Sequence, residues 1–547
     1  MLDRATDVVS LVAGRGVHLG SLPAVLAERY GERPAIHDEA PTPRLHQGGT
    51  RTFADLEEAT ARLAAALAGL GVHEGDRVLV LVENRLDVLL HTWALARIGA
   101  VASPVNPRLK TDEVVAVVAA TAADAAIVDA EVHHRHGDAV GDLRWIDAGD
   151  EDAGVGIAGW LAAHPDERCE AVERDAEATV LLPTTSGTTG MPKAAALTSH
   201  GLLASIGRLV AAPVGRQRRP RADRDRALAA LPLTHIMGYA VALASLCAGV
   251  ELLHRRRFDA DGILDTIERQ HPNVFVGVPT MYADLEEAGA AERDLSSIQL
   301  WISSADAMPE DRARRFQRYG ATGRLKGKGV GTAWFLDIYG MVELSGAAAV
   351  RVYPPSPISR FELPSLATVL PGIEVRAVDE DGEPVGWGEV GQLQFRGAGV
   401  LEGYEGHEEG PDDDGWFPTG DHGRVWPGGL FAFAGRRRDR LKVGGFSVFP
   451  AEVETELRQA PHVREVALVG IPDDRLGERP VALVVPEDGF DAEAFLQWAE
   501  RHVAGYRRPR QVAVVEEIPR GNHGKVARGT ATELANEHLS VGEVGDT

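Results

Sequence analysis

The spacing of hydrophobic residues predicts an amphipathic helix near the start of the chain. Between residues 52 and 71, the leucines lie seven, four and three positions apart, which places them on one face of a helix. Thr52 is suited to cap the start of this helix, and Gly71 is suited to end it. One apolar face on a helix indicates packing against a folded core.

Apolar runs and helical patterns then alternate along the chain. We predict strands at residues 78–82, 125–128 and 180–182, and helices at residues 86–98, 112–120 and from about 200. A smaller region follows, with helices from 450 and at 492–503 and strands at 466–469, 481–485 and 512–515. This alternation predicts βαβ units and a parallel sheet, so the predicted fold class is α/β.

Composition and charge narrow the class of protein. The chain has 547 residues, 44% of them hydrophobic and 25% charged, as in ordinary soluble globular proteins. A net charge of −24 argues against general binding to nucleic acid or anionic membranes, and no apolar run reaches membrane-spanning length. Cys169 and Cys247 form neither a disulfide framework nor a zinc pattern. We expect a cytoplasmic protein without nucleic-acid partners or membrane insertion.

Three polar segments are predicted to lie outside the regular elements. Residues 216–226 contain six arginines and are interpreted as a solvated loop. Residues 320–331 are rich in glycine and lysine, which predicts a flexible connection, and residues 405–415 are acidic, which predicts an exposed loop.

Hydroxyl and glycine residues are concentrated in residues 184–193, between a predicted strand and a predicted helix. The string reads Thr-Thr-Ser-Gly-Thr-Thr-Gly-Met-Pro-Lys. Hydroxyls and exposed backbone N–H groups bind polyphosphate oxygens, and Gly187 and Gly190 allow close approach to the backbone. The string lacks the spacing of a Walker loop, and a flexible surface loop would share its composition.

This string closely resembles the phosphate-binding signature of the adenylate-forming superfamily, which includes acyl-CoA synthetases, luciferases and nonribosomal peptide synthetase adenylation domains. Four further resemblances follow in the family's order. Residues 337–343 resemble the segment that contacts adenine and magnesium, and residues 415–421 resemble the ribose segment. Residues 435–445 resemble the hinge between the two domains, and residues 519–525 resemble the loop that carries the adenylation lysine.

The resemblance implies a role for each matched residue. Lys525 would bridge the substrate carboxylate and the α-phosphate, Glu343 would bind magnesium, and His235 would gate an acyl pocket that residues 276–282 also line. The implied nucleotide and CoA contacts are Thr185, Ser186, Gly187, Thr188, Thr189, Gly190, Lys193, Asp306, Tyr339, Gly340, Met341, Asp421, Arg436, Lys442, Gly444 and Gly445.

The resemblance also implies a domain organisation. A large amino-terminal α/β domain of several subdomains would comprise residues 1–438, and a small, mobile carboxy-terminal α+β lid domain would comprise residues 439–547. Asp439 would take the hinge position, about which the lid rotates between two half-reactions.

The rarity of lysine supports these assignments. Only six of the 57 basic residues are lysines, and Lys193, Lys442 and Lys525 are three of the six. The family uses lysine at all three positions. Because a compact ammonium group differs from a planar guanidinium at a phosphate, retention of lysine there indicates function.

Three residues depart from the family pattern, and one of them, Ala194 where glycine is usual after Lys193, is a mild change. Val342 stands where a hydroxyl residue is usual, which removes a donor worth about 1 kcal/mol near the phosphates or the acyl oxygen. Asp306 interrupts a stretch usually made of glycine, alanine and proline. It is expected to face solvent, to pair with an arginine or to contact a polar substrate, and the structural interpretations are favoured.

The predicted function is that of an AMP-forming acid–thiol ligase of the acyl-CoA synthetase type. ATP and magnesium would convert a hydrophobic carboxylic acid to acyl-AMP, and CoA would then take the acyl group as a thioester. Alternatively, the enzyme would stop at adenylation or pass the acyl group to a partner enzyme or a carrier-protein phosphopantetheine. A catalytically silent nucleotide-binding protein is the remote alternative, and the oligomeric state stays open.

Overall fold

Helices and strands alternate along most of the chain, as the hydrophobic pattern predicts. The computed structural model describes residues 17–39, 49–141, 143–149, 156–186, 192–211, 221–222, 224–325, 328–355, 366–443, 446–473, 475–503, 505–520 and 526–543. The α/β prediction is confirmed, with a large amino-terminal and a smaller carboxy-terminal region.

The bounds of the elements are as follows. The helices are α1 (Leu22–Tyr30), α2 (Phe53–Gly69), α3 (Asp87–Arg97), α4 (Thr111–Thr121), α5 (Ala130–His136), α6 (Ile157–Ala163), α7 (Ser199–Ala211), α8 (Ile236–Cys247), α9 (Ala260–Gln270), α10 (Pro279–Glu287), α11 (Glu310–Tyr319), α12 (Pro450–Leu457), α13 (Ala492–His502) and α14 (Arg528–Glu543). The strands are β1 (Pro34–Asp38), β2 (Gly49–Thr52), β3 (Arg77–Leu81), β4 (Val101–Pro104), β5 (Ala125–Val128), β6 (Arg144–Asp147), β7 (Thr179–Leu181), β8 (Thr184–Ser186), β9 (Pro192–Ala194), β10 (Leu197–Thr198), β11 (Arg226–Ala229), β12 (Glu251–His254), β13 (Val274–Gly277), β14 (Leu300–Ser304), β15 (Gly323–Leu325), β16 (Lys328–Val330), β17 (Trp334–Met341), β18 (Gly346–Tyr353), β19 (Ala367–Val369), β20 (Ile373–Val378), β21 (Val390–Gly397), β22 (Phe417–Trp426), β23 (Leu430–Arg436), β24 (Leu441–Val443), β25 (Phe446–Val448), β26 (Val463–Asp473), β27 (Gly477–Pro486) and β28 (Gln511–Val514).

Local sequence signals explain where the first predicted helix begins. The Thr52 hydroxyl accepts a hydrogen bond from the Asp55 N–H over 3.1 Å, and the Asp55 carboxylate accepts one from the Thr52 N–H over 2.8 Å. This reciprocal pair is a capping box, which satisfies two N–H groups that the helix leaves open. The predicted start at Thr52 is thereby confirmed to within one residue.

One predicted loop is wrong. Residues 320–331 do not form a flexible connection throughout, because β15 and β16 pair as an antiparallel hairpin within that range. The glycine content of this segment predicts flexibility. In the hairpin, however, Gly323 and Gly329 are strand residues, and a Cβ on Gly329 would lie 2.8 Å from Cβ of Ser296, so close packing requires glycine.

The chain divides into two units. Unit 1 comprises residues 1–374 and 396–417, and unit 2 comprises residues 375–395 and 418–547. The chain therefore passes between the units inside β20, β21 and β22. The predicted domain boundary after residue 438 is the position of a hinge. The division into two compact units does not test a hinge, so this boundary stays a prediction.

Unit 1 is built around two sheets of described strands. One has the order β2-β1-β12-β11-β13-β14-β17-β18-β19, and the other has the order β10-β7-β4-β3-β5-β6. Neighbouring strands from β1 to β17 in the first sheet are parallel, as are β4, β3, β5 and β6 in the second. An aromatic cluster lies in the core of the first sheet, where Phe275, Tyr282, Trp301 and Phe316 pack edge to face and Phe335 contacts Tyr282 at a tilted angle. Its members are fully buried.

Unit 2 contains two groups of strands. Strands β20 to β23 follow the order β23-β22-β21-β20, while β25, β24, β27 and β26 form a sheet in which β28 pairs with β27. The buried Glu454 on α12 pairs with Arg528 at the start of α14, with Oε2 of Glu454 3.1 Å from Nη2 of Arg528. Both side chains also bind the backbone of Leu468 on β26. This Glu454–Arg528 pair connects three elements of unit 2.

Within the part of the chain that the structure describes, no helix is both long enough and apolar enough to cross a lipid bilayer.

Candidate active site

The predicted phosphate loop begins and ends in a two-stranded hairpin of unit 1. Strands β8 and β9 pair in antiparallel register, with Thr185 opposite Lys193. Ser186 is the last residue of β8, so the hairpin places both ends of the hydroxyl-rich string side by side. The other predicted contacts of this string lie outside the described residues: Gly187, Thr188, Thr189 and Gly190.

Lys193 lies in a cluster of charged and aromatic side chains. Only 10% of the Lys193 side chain is exposed, and its Nζ donates a hydrogen bond to Glu409. The same Nζ lies 5.5 Å from the ring centroid of Tyr404. The hydroxyl of Tyr404 donates a hydrogen bond to Oε1 of the buried Glu343 over 2.8 Å. We call Lys193, Glu343, Tyr404 and Glu409 the phosphate-side cluster.

Backbone pairing holds this cluster in register. Tyr404 forms an antiparallel bridge with Ala195, the residue that follows β9. The Glu405 N–H donates to the Ala194 carbonyl over 2.9 Å, and the Leu401 N–H donates to the Glu343 carbonyl over 2.8 Å. Residues 401–405 therefore join the phosphate hairpin to the turn that carries Glu343.

The pKa directions agree with these contacts. Burial raises the pKa of Tyr404, and the neighbouring Glu343 carboxylate raises it further, so the hydroxyl remains a donor at neutral pH. The hydrogen bond from Lys193 lowers the pKa of Glu409. Since 67% of the Glu409 side chain is exposed, a phosphate oxygen could replace this carboxylate on Lys193 without burying an unpaired charge.

The predicted adenine and magnesium segment forms a tight turn between β17 and β18. Tyr339 is half-buried and pairs with Ala349, and Met341 pairs with Gly346. A Cβ on Gly340 would lie 2.0 Å from the Gly346 carbonyl oxygen, so only glycine fits there. A 3₁₀ turn over Val342–Leu344 follows and buries Glu343.

Asp306 is exposed, and its Oδ1 accepts a hydrogen bond from the Ala307 N–H over 2.8 Å. Among the described residues it pairs with no arginine, so the solvent-facing and polar-substrate interpretations both stay open. The residue that does pair with an arginine is Asp337, whose Oδ2 lies 2.7 Å from Nη2 of Arg351. Burial raises the pKa of Asp337 to about 6, although Arg351 opposes the shift.

His235 has a structural role in addition to its predicted one. It is the N-cap residue of α8, and its Nδ1 accepts a hydrogen bond from the Met237 N–H over 3.3 Å. The side-chain amide of Asn84 accepts from the Leu233 N–H over 2.9 Å and donates to the Arg256 carbonyl over 3.0 Å. Asn84, which follows β3, thus fixes the loop that presents His235.

The predicted pocket residues 276–282 are only partly available to a ligand. Tyr282 is fully buried in the aromatic cluster, and its hydroxyl donates to the Ile302 carbonyl over 2.7 Å. Its surroundings are therefore those of a core residue.

The predicted ribose residue lies in unit 2. Asp421 on β22 is buried and pairs in register with Arg436 on β23, with Oδ1 of Asp421 3.5 Å from Nε of Arg436. The Asp421 N–H donates to the Thr419 hydroxyl over 3.1 Å, and that hydroxyl donates to the Leu393 carbonyl over 2.8 Å. Two residues of the prediction, Asp421 and Arg436, are thus brought together.

The hinge and lysine-loop residues of unit 2 are described in part. Lys442 is exposed on β24, and Asp439 ends a 3₁₀ turn. Gly444, Gly445 and Lys525 lie outside the described residues. Arg520 and Val526, on either side of the lysine loop, form an antiparallel bridge, so the loop is bounded by paired backbone.

Sequence reasoning missed Tyr404 and Asn84. Both are polar residues in short irregular stretches, where neither spacing nor composition marks a contact with residues far along the chain. The Gly-Tyr pair at 403–404 gave no chemical signal, because the partner of Tyr404 lies 61 positions away at Glu343.

Comparisons with known proteins identify the family to which the chain belongs. The chain matches the AMP-binding enzyme family over residues 24–405 and the AMP-binding enzyme C-terminal domain over residues 452–525. It is 33% identical over 531 residues to a feruloyl-CoA synthase from an Amycolatopsis species, covering 94% of this chain and 98% of that protein.

Two solved structures are similar over almost their whole length. ATP-bound MatB from Rhodopseudomonas palustris is 26% identical with a TM-score of 0.78, covering 95% of this chain and 100% of that chain. The amide bond synthetase McbA from Marinactinospora thermotolerans is 25% identical with a TM-score of 0.78, covering 94% of this chain and 99% of that one. The chain belongs to the AMP-binding enzyme family, within the adenylate-forming superfamily that its motifs resemble.

Proposed function

We propose that the protein is an acyl-CoA synthetase, which activates a hydrophobic carboxylic acid with ATP and transfers the acyl group to CoA. The observation that carries the proposal is the phosphate-side cluster, in which a buried lysine has a replaceable, exposed carboxylate partner. The feruloyl-CoA synthase relative supports an aromatic acid as substrate. Residues 231–239, which contain His235, lack an aspartate that could hold an α-amino group, and this argues against an amino acid.

In the first half-reaction, a substrate carboxylate oxygen attacks the α-phosphorus of ATP. The bond from that phosphorus to the bridging oxygen breaks, and pyrophosphate leaves. In this proposal Lys193 exchanges Glu409 for a phosphate oxygen, and Lys525 places positive charge at the reacting oxygens. Asp421 accepts hydrogen bonds from the ribose hydroxyls.

The residues of unit 1 fit a magnesium ion. Glu343 offers one buried carboxylate, and the described residues contain no group of three or more His, Cys, Asp or Glu that could hold a metal. Magnesium is commonly bound by one or two carboxylates together with substrate phosphates, so this donor set suits it. When bound, magnesium neutralises charge on the phosphates. Tyr404 would orient the Glu343 carboxylate through its hydrogen bond.

In the second half-reaction, the CoA thiol attacks the acyl carbon, and AMP leaves as the thioester forms. We propose that Lys442, Gly444 and Gly445 act at this stage, after rotation at Asp439 has withdrawn Lys525. The amide bond synthetase among the structural relatives supports the alternative that another acceptor takes the acyl group.

The test is mass spectrometry of products formed from ATP, magnesium and a set of aromatic and aliphatic acids, with and without CoA. Acyl-CoA that forms only when CoA is present is the expected result. Persistence of acyl-AMP in the presence of CoA would overturn the thioester step and favour the other acceptor. Lys525→Ala should abolish acyl-AMP formation, whereas Asp439→Pro should spare it and slow thioester formation.

We also propose a cytoplasmic location. ATP and CoA are available there, and both cysteines, Cys169 and Cys247, are free thiols.

A further inference from the structure

Helix α7 turns one face toward the loop that carries Glu343. A Cβ on Gly201 would lie 3.4 Å from the Ser345 hydroxyl, and the Ser205 hydroxyl donates to the Ala347 carbonyl over 3.2 Å. Arg208 follows Ser205 by three positions, so it lies on the same face of the helix.

Arg208 is buried but has no partner among the described residues. Only 9% of the residue is exposed. Its Nε and Nη2 atoms are sealed from solvent, and within the described chain neither makes a hydrogen bond. Burial lowers the pKa of Arg208 to about 10, which still leaves the guanidinium charged at neutral pH. A buried charge without a partner is unfavourable, and an oxygen of a bound ligand would supply the missing partner.

Gly399, which has no side chain, provides the space for this guanidinium beside the turn that carries Glu343. A Cβ on Gly399 would lie 2.7 Å from Nη2 of Arg208 and 3.5 Å from the Leu344 carbonyl oxygen. Gly399 has a φ of +99°, which also favours glycine. Any larger residue there would displace the guanidinium.

Helix α8, whose N-cap His235 is a predicted acyl-pocket residue, packs against the same region. A Cβ on Gly346 would lie 3.5 Å from Cβ of Ala240 on α8, the helix capped by His235, and 3.6 Å from the Ser205 hydroxyl. Helices α7 and α8 and strand β18 thus converge on small side chains, with Arg208 one helical turn beyond Ser205.

We propose that Arg208 determines specificity by binding an oxygen of the acid substrate remote from the reacting carboxylate, either a second carboxylate or a phenol. This inference rests on the proposed function. The reacting carboxylate itself is a poor partner for Arg208, because a bidentate bond to the guanidinium would hold the oxygens that must attack phosphorus. An oxygen remote from the reacting carboxylate can form the same bond with Arg208, and the carboxylate oxygens then keep their nucleophilicity.

The test compares three acids that share one skeleton: cinnamate, 4-hydroxycinnamate and 4-carboxycinnamate. Pyrophosphate release gives kcat/KM for each acid with the wild type and Arg208→Met. We expect the variant to lose about 10- to 100-fold on at least one acid that carries the remote oxygen and less than about threefold on cinnamate. Arg318→Met, at an exposed position of α11, is the matched control. Gly399→Ala should reproduce the selective loss, because it displaces the guanidinium without removing it.

Equal losses on all three acids would assign Arg208 to the carboxylate that they share, and this would overturn the proposal. The absence of a selective loss on either acid with a remote oxygen would also overturn it. Thermal unfolding provides a second readout. Removal of an unpaired buried charge should raise the melting temperature of Arg208→Met by a few degrees, whereas a purely structural role predicts a lower one. If the wild type releases pyrophosphate with none of a broad set of acids, the proposed function fails. The melting temperatures then still decide whether Arg208 is structural.

Discussion

The phosphate-side cluster of unit 1 and the Glu454–Arg528 pair of unit 2 use ionic contacts in different ways. In unit 2, the Glu454 side chain is 4% exposed, and both partners are also bound to the backbone of Leu468. In unit 1, the partner of the buried Lys193 is a mostly exposed glutamate on an irregular segment. The first arrangement holds secondary structure together, while the second pairs a buried lysine with a carboxylate that solvent reaches, as the proposed exchange for a phosphate oxygen requires.

Breaking the Glu454–Arg528 pair should have the largest effect. Glu454→Ala leaves Arg528 without its carboxylate partner and should lower the free energy of unfolding by about 3 kcal/mol. Urea unfolding followed by tryptophan fluorescence measures this change. Arg520→Ala, which breaks the more exposed pair with Glu465, should lower it by less than about 1 kcal/mol. Equal losses in the two variants would contradict the contrast.

The stabilisation from the Glu454–Arg528 pair should also depend on pH. Burial opposes ionisation of Glu454, but Arg528 and the Leu468 N–H together hold its pKa below the ordinary value of 4.5. The folded state therefore binds this proton less readily than the unfolded state, and the stabilisation is lost as pH falls below that value. The stability difference between the wild type and Glu454→Gln should narrow there. A constant difference down to the acid limit of folding would refute this account.

The next effect concerns the carboxylate of the phosphate-side cluster. Glu343→Gln should lower kcat/KM for pyrophosphate release by about 100-fold, because a neutral amide binds a divalent cation poorly. Raising the magnesium concentration should recover part of the loss. Glu402→Gln, at an exposed position nearby in sequence to Tyr404, is the control. A loss independent of magnesium would point to a role other than metal binding.

A smaller effect is expected at the residue that orients this carboxylate. Tyr404→Phe removes the hydrogen bond to Glu343 but keeps the ring beside Lys193, and kcat should fall about tenfold. Tyr404→Leu removes the ring as well and should add an increase in KM for ATP. Identical kinetics in the two variants would show that the ring contributes nothing.

Replacing Glu409, the partner of Lys193, should have the smallest effect. Glu409→Gln removes the carboxylate that competes with phosphate for Lys193, so KM for ATP should fall, by less than about threefold because the glutamate is exposed. Steady-state kinetics at several ATP concentrations measures the change. An increase in KM would mean that Glu409 assists nucleotide binding.

The sequence predicted the regular elements well because they depend on local spacing. Thr52 capped α2 as expected, and the βαβ alternation gave the α/β class. The prediction for residues 320–331 is wrong because composition reports neither the pairing of β15 with β16 nor the close approach of Gly329 to Ser296.

Motifs in the sequence point to candidate site residues, whose roles stay predictions, whereas residues that join the candidate site only through contacts were missed. Glu343 and Asp421 stood out through their strings, whereas Tyr404 became visible only when backbone pairing brought it to Glu343. Arg208 has an ordinary sequence context on a helix. Its lack of a described partner is a three-dimensional property, and no pattern in the chain could reveal it.

Under the proposed gating role of His235, its hydrogen bond from the Met237 N–H limits how the substrate range of such an enzyme can evolve. The side chain proposed to gate the pocket also caps α8, so most replacements would weaken the helix while they change the gate. Asparagine, serine, threonine and aspartate retain the cap, and alternative gates should therefore be drawn mainly from this small group. Under that proposed role, substrate preference at this position is inherited together with a folding requirement.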